Sequence, residues 1–431
     1  MNAGVRWRLA AMMALVYAVQ GAFWPLLTVH LKDLGIDGRG RGWIFATMAI
    51  ASLATPLGAG QLADRRMATQ RLLAILYALG TGLLVCFALG ASTHTLPLFL
   101  LFLVFWMVVA PTYGLSTSLA LRNLEHPHEQ FGGVRLWGTV GWMLVGWMVS
   151  LVMAFSGSTR AGQGAYEAFA VAAALSAILA VYCLSLPHTP PLASDSEPTR
   201  MKLDPQAVLA LVRQPVVGRY LLVAFGVSLT MPYVYQVIPA YLEARGLSRP
   251  WIASAMTLGQ VLEIFALAAL PWMLRRFSYQ GTLALGIAAW ALRFGSLLFD
   301  PPLWVCVAGI LLHGVGIACF TVGGQVFLDS QAPVDRRASA QALNVVVTSG
   351  IGLLLGSLLA GEIVGRLSTG SALVFLVPCL INAGLLGYFV QGFRPKASTT
   401  GRERVPTSVR SSVREVAREA VVCGGNVGAE S

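Results

Sequence analysis

Twelve stretches of about 20 apolar residues recur along the 431-residue chain, and this recurrence limits its fold more than any other feature. They run at about 9–31, 42–63, 72–91, 96–121, 134–156 and 165–186, then at about 219–242, 252–274, 281–299, 303–327, 340–364 and 371–391. A helix of that length crosses the hydrocarbon of a bilayer, and lipid forces each crossing segment to satisfy its own backbone hydrogen bonds. Composition agrees: 56% of residues are hydrophobic, 11% are charged, and the mean hydropathy is +0.70. A soluble fold needs more charge to cover its surface. An ordinary soluble enzyme, a disordered chain and a disulfide-stapled secreted domain are therefore excluded. The fold class expected is an all-α membrane protein of twelve transmembrane helices.

The one long polar connection inside the chain, 187–218, divides the array into six spans and six. It opens with Pro187-His188-Thr189-Pro190-Pro191 and holds a short helical stretch near 205–213. The expected organisation is a six-helix bundle over 1–186, a cytoplasmic linker over 187–218, a second bundle over 219–392 and a tail over 393–431. The tail is basic. It reads as a disordered cytoplasmic segment, with a helix lying on an anionic membrane surface as the alternative.

The net charge of +11 does not mark a nucleic-acid binder, because the basic residues lie between apolar spans rather than on a soluble patch. One side of the array holds 22 of the 30 Lys and Arg; the other holds 7, including Lys32, Arg39 and Arg41, and Arg293 lies inside a span. Without the tail the bias is still 15 to 7. The positive-inside rule places both termini and the linker in the cytoplasm. The first span has no short signal-type apolar region and is expected to be retained. None of the six cysteines has metal-ligand spacing. No catalytic triad, metal set or phosphate loop is present, so no enzyme and no cofactor are expected.

The halves repeat. After span 1 the chain reads His30-Leu31-Lys32-Asp33-Leu34-Gly35-Ile36, and after span 7 it reads Tyr241-Leu242-Glu243-Ala244-Arg245-Gly246-Leu247. Gly42-Trp43-Ile44 and Pro250-Trp251-Ile252 follow in turn, at an offset of about 210 residues. Weak symmetry between two six-span halves marks secondary transporters, with the solute held between the halves near the midplane. Span 5 carries Gly138, Gly141 and Gly146; its counterpart, span 11, carries Gly350, Gly352, Gly356 and Gly361. Small residues there permit close contact and sliding.

Polar side chains deep in a span are costly and default to functional roles. Glu263 lies about twelve residues into span 8, one turn after Gln260 on the same face. A carboxylate in a low-dielectric cavity can carry a proton at neutral pH; the alternative is an interhelical salt bridge. Arg135, Thr139 and Trp142 form one stripe on span 5. The guanidinium suits hydroxyls and carbonyls, and the indole offers a flat face to a base or a sugar. Membrane anchoring for Arg135 and packing for Trp142 are the alternatives. Tyr233, Tyr235 and Gln236 sit between Pro232 and Pro239, so span 7 reads as a broken helix lining a site. His313 can titrate near neutrality or hold a neighbouring helix. Arg293 needs a partner and reads as structural. Gly60, Asp64 and Arg65 in the 2–3 loop read as a gating element.

That loop, Gly60-Gln61-Leu62-Ala63-Asp64-Arg65, resembles the G-x-x-x-D-R signature of the major facilitator superfamily, without the usual second glycine. Val134-Arg135-Leu136-Trp137-Gly138-Thr139-Val140-Gly141 resembles the R-x-W-G-T-x-G stretch of its bacterial nucleoside:proton symporters. Pro111-Thr112-Tyr113-Gly114-Leu115, Gln260-Val261-Leu262-Glu263, Ala289-Trp290-Ala291-Leu292-Arg293-Phe294 and Arg337-Ala338-Ser339-Ala340-Gln341 follow in that family's order across the chain. The resemblance implies the major facilitator fold and two pseudo-symmetric bundles. It also implies a central nucleoside site at Arg135, Thr139, Trp142, Gln260 and Glu263, with the acidic position tied to proton coupling. Departures lie where the family carries span 7 amides and a span 10 aspartate: this chain has Pro232, Tyr235 and Ala318.

The resulting expectation is a monomeric transporter of the inner cell membrane. It takes up nucleosides by alternating access, driven by a proton gradient, with no nucleic-acid partner. An Arg135–Glu263 contact across the halves is expected. The rivals are transport of another solute, by sugar uptake or drug export, and a membrane sensor that binds without transport.

Overall fold

The computed structural model describes residues 3–55, 67–90, 92–157, 164–191, 212–333 and 336–393. Gly60, Asp64 and Arg65, the helical stretch near 205–213 up to residue 211, and the tail from 394 lie outside them. Every regular element among the described residues is helical, and the chain forms a twelve-helix bundle.

Span 1 comprises Ala3–Phe23, a tight turn at Trp24–Leu26 and Leu27–Asp33. Span 2 is Gly38–Ala54, span 3 Thr69–Ala88, span 4 Thr95–Asn123, span 5 Pro127–Ser156 and span 6 Tyr166–Cys183. Span 7 is broken, as its prolines require: Pro215–Thr230 gives way at Met231 and Pro232 to Tyr233–Gln236, then to Ile238–Ala244. Span 10 covers Leu303–Gln331, span 11 Arg337–Val345 through Leu353–Arg366, and span 12 Ala372–Gly392. Spans 10 and 11 each contain a π-helical segment, Ile317–Val322 and Val346–Gly352.

Two expectations need correction. Span 5 begins at Pro127, seven positions before the expected 134, because proline at the first helical position fits its missing N–H and polar residues then extend the helix beyond the apolar run. Spans 8 and 9 are not separated by a loop. After Arg249–Trp251 and Ile252–Met256, one helical stretch runs over Leu258–Leu297, broken only at Ser278, whose φ of 58° turns the chain within a single residue.

The repeated loop ends are built alike. Gly35 and Gly246 have φ of 76° and 94°. Ile36 N donates to Leu31 O at 3.0 Å, and Leu247 N to Leu242 O at 2.9 Å. Both are the same six-residue closure of a helix C-terminus, where glycine supplies the left-handed conformation.

The glycine contacts repeat at a fixed offset of 215 residues (356 less 141, 361 less 146). A Cβ on Gly141 would meet the Ala14 carbonyl of span 1 at 2.1 Å; one on Gly356 would meet the Leu229 carbonyl of span 7 at 2.5 Å. Gly146 faces Ala253 and Thr257 on span 8; Gly361 faces Gly38 and Gly42 on span 2. Residues 14, 38 and 42 thus recur as 229, 253 and 257. One pair of contacts packs spans within a half, and the other joins the halves. In lipid such close backbone approach supplies van der Waals contact that the hydrophobic effect cannot.

The halves are fastened at the face bearing loops 1–2, 7–8 and 11–12. Arg249, 1% exposed, donates through Nη2 to Asp33 Oδ1 at 2.9 Å and through Nε to Glu243 Oε1 at 2.9 Å. Lys32 reaches Glu243 at 3.1 Å. Arg39 pairs with both oxygens of Glu362 at 2.7 and 2.9 Å. Thr28 Oγ1 donates to the Gln236 carbonyl at 2.7 Å. Among the described residues, every ion pair between the halves lies at this face.

Candidate functional site

Below that fastening, side chains from spans 1, 4, 5, 7, 8, 9 and 10 converge. On the N-terminal half, the Arg135 guanidinium lies 4.0 Å over the Tyr17 ring. Tyr17 leans on Tyr113, and the Tyr113 hydroxyl donates to Gln20 Oε1. Gly138 permits this arrangement, since a Cβ there would strike Tyr17 at 2.6 Å and Arg135 Nη1 at 2.8 Å. Thr139 is half-buried on the same stripe. Trp142 packs over Gly21, and its indole N–H has no hydrogen-bond partner among the described residues.

On the C-terminal half, Tyr235 is the hub. Its ring meets Trp142 edge to face at 6.0 Å across the seam, and meets His313 at 6.4 Å. The Gln260 amide nitrogen donates to the Met256 and Thr257 carbonyls at 3.1 Å each, leaving its oxygen to accept from the Tyr235 hydroxyl at 3.5 Å. Gly314 on span 10 lets that helix close on Glu263, whose backbone nitrogen would lie 2.2 Å from an added Cβ. Glu263 is half-buried and has no hydrogen bond or ion pair among the described residues.

The expected Arg135–Glu263 contact is therefore not a salt bridge. The Arg135 fork is held over Tyr17 instead. Such an arrangement leaves both groups free to meet a solute between them.

Arg135, Trp142, Tyr235, Gln260, Glu263 and His313 are thus linked across the seam, and Thr139 shares the Arg135 stripe. Tyr233 and Gln236 sit elsewhere. Tyr233 is fully buried against Phe294 at 6.1 Å. Gln236 Nε2 donates to the Ser357 carbonyl of span 11 at 3.1 Å, so its amide fastens helices together. Arg293 lies behind the hub, 5.7 Å from the Trp290 ring. Sequence reasoning missed Tyr17 and Gln20, and read Tyr113 only as part of the Pro111-Thr112-Tyr113-Gly114-Leu115 match. Gln20, a lone amide in an apolar span, carried a legible signal; Tyr17, an ordinary residue for a membrane helix, carried none.

A twelve-helix bundle of two repeated halves, sealed at one face and lined with polar groups along the central seam, defines a secondary transporter of the major facilitator fold. The fold matches the crystal structure of the nucleoside transporter NupG with a TM-score of 0.78, at 23% identity, covering 92% of this chain and all of that one. It also matches the crystal structure of a D-xylose–proton symporter with a TM-score of 0.67 at 16% identity, covering 90% and 97%. The profile of the nucleoside H+ symporter family matches residues 3–398, and the chain belongs to that family. Among curated relatives, the nucleoside permease NupG of Escherichia coli K12 is 26% identical over 400 residues, covering 88% of this chain and 92% of its own. The xanthosine permease of the same organism is 24% identical over 399 residues, with the same coverage of each.

Proposed function

We propose that this transporter takes up a nucleoside together with a proton by rocking its two six-span halves about the central seam. The observation that carries the reading is the meeting of Trp142 with Tyr235 at 6.0 Å, beside the Gln260 and Glu263 face. A neutral nucleoside needs a flat surface for its base and acceptors for its ribose hydroxyls, and this seam offers both. Membership of the family and similarity to permeases that carry nucleosides support the solute class. The excess of Lys and Arg on one side supports cytoplasmic termini in the inner membrane.

In the proposed cycle, Glu263 takes a proton from outside. The solute docks against Gln260, Thr139 and Trp142, and the halves rock. Proton release inward leaves an ionised carboxylate facing the Arg135 charge. The ion pairs at Asp33, Arg249, Glu243, Lys32, Arg39 and Glu362 support assignment of this conformation as one closed to the outside. Uptake of radiolabelled uridine into proteoliposomes, with and without an inward proton gradient, tests the reading. Gradient-dependent accumulation is expected. Folded protein that concentrates a sugar but no nucleoside would overturn the solute, and uptake indifferent to the gradient would overturn the coupling.

A further inference from the structure

Arg293 is 1% exposed in the middle of span 9. Its Nη1 and Nη2 have no hydrogen-bond partner among the described residues, and no carboxylate there pairs with it. A guanidinium carries five N–H donors and a permanent charge, so burying it unpaired in a membrane protein is costly. The Trp290 ring over which it lies separates it from His313 and, beyond that, from Tyr235. His313 and Tyr235 are the residues that form the C-terminal wall of the seam. Tyr235 stands between Trp142 at 6.0 Å and His313 at 6.4 Å, and His313 stands 5.2 Å from Trp290, over which Arg293 lies. A positive charge held in low dielectric with no counter-ion is weakly screened, and polar groups in front of it orient their negative ends toward it. The wall of Tyr235 and His313 then presents positive potential to the seam.

We propose that Arg293 is a specificity-determining positioning residue. Acting through Tyr235 and His313, its unneutralised charge makes this wall favour solutes that present a carbonyl oxygen there over solutes that present an amino group. The inference rests on the nucleoside reading and narrows it to oxo-bearing bases. Glu263 and Gln260 take the hydroxyl end of the solute, and the Tyr235–His313 wall takes the base edge.

The test is equilibrium binding to purified protein in detergent, with no gradient, of two matched pairs: uridine against cytidine, and inosine against adenosine. Within each pair the probe exchanges a carbonyl for an amino group at one ring carbon and an N–H for a lone pair at the adjacent ring nitrogen. The oxo member is expected to bind about tenfold tighter, the scale of a charge-assisted hydrogen bond. Arg293→Met should bring the ratio near unity, while Arg293→Lys, which retains the charge, should preserve it. The ratio separates this role from a structural one, since loss of packing weakens both members alike. Tyr235→Phe provides a second route: removing the hydroxyl should shrink the ratio with Arg293 intact. A wild-type ratio near unity, or a full ratio in Arg293→Met, overturns the inference while leaving nucleoside transport standing. Failure of all four nucleosides to bind folded protein overturns the nucleoside reading and this inference with it.

Discussion

Gly361 on span 11 and Gly42 on span 2 meet backbone to backbone: a Cβ on Gly361 would lie 2.7 Å from the Gly42 Cα and 2.7 Å from the Gly38 carbonyl. The repeat places Gly146 against Thr257 and Ala253 in the same way, so one design closes both sides of the seam. The obstacles differ. Gly146 faces the Thr257 methyl at 2.6 Å, which a rotamer change can move; Gly361 faces backbone, which cannot yield alone.

Gly361→Ala should therefore open the face bearing loops 1–2, 7–8 and 11–12 more than Gly146→Ala. Cysteine accessibility or spin-label distances across the 1–2 and 7–8 loops would measure it. Equal effects would show that contact chemistry, beyond spacing, does not control closure.

Gly141→Ala should act differently, because Ala14 belongs to the same half. Its carbonyl lies 2.1 Å from the added Cβ, so the substitution strains a bundle rather than a seam. A loss of about 1–3 kcal/mol is expected, read as a lower melting temperature in detergent. The distances across the 1–2 and 7–8 loops should stay unchanged.

Arg249→Gln removes the cation shared by Asp33 and Glu243. The Asp33 side chain is 4% exposed, and breaking a buried pair from one side costs about 3–5 kcal/mol in other proteins. Here the halves can separate and hydrate Asp33, so the expected outcome is a shift toward a state open at this face. Adding Asp33→Asn should restore part of the closure, which a double-mutant cycle on the spin-label populations would quantify.

Glu263→Gln should abolish concentrative uptake and leave solute exchange at equal concentrations intact. Exchange needs the binding face but no net proton movement. Proteoliposome uptake beside counterflow separates the two. Concentrative uptake at the wild-type rate would exclude Glu263 from coupling.

Trp142→Ala should raise the solute Kd about tenfold or more, the scale of losing one base-stacking surface. Trp142→Phe should recover most of it. Binding isotherms in detergent are the measurement, and an unchanged Kd would assign Trp142 to packing over Gly21.

Spans, halves and repeat were legible in the sequence because they follow from local patterns. Apolar length sets a membrane crossing, proline breaks span 7, and glycine spacing marks close contacts. Glu263 and Gln260 were legible because an acid and an amide in lipid demand an explanation. Four things required the tertiary structure. Ser278 turns span 8 into span 9 within one residue, where the polar run reads as a loop. Arg135 is held over Tyr17 rather than paired with Glu263. Gln236 fastens span 7 to span 11 while Tyr235, its neighbour in sequence, forms the hub. Arg293 stands behind His313 and Tyr235 without a counter-charge among the described residues. Sequence determines which segments must leave water, since that depends on the transfer of each residue. Which polar groups face one another depends on distances between helices far apart in the chain, and only their packing decides it.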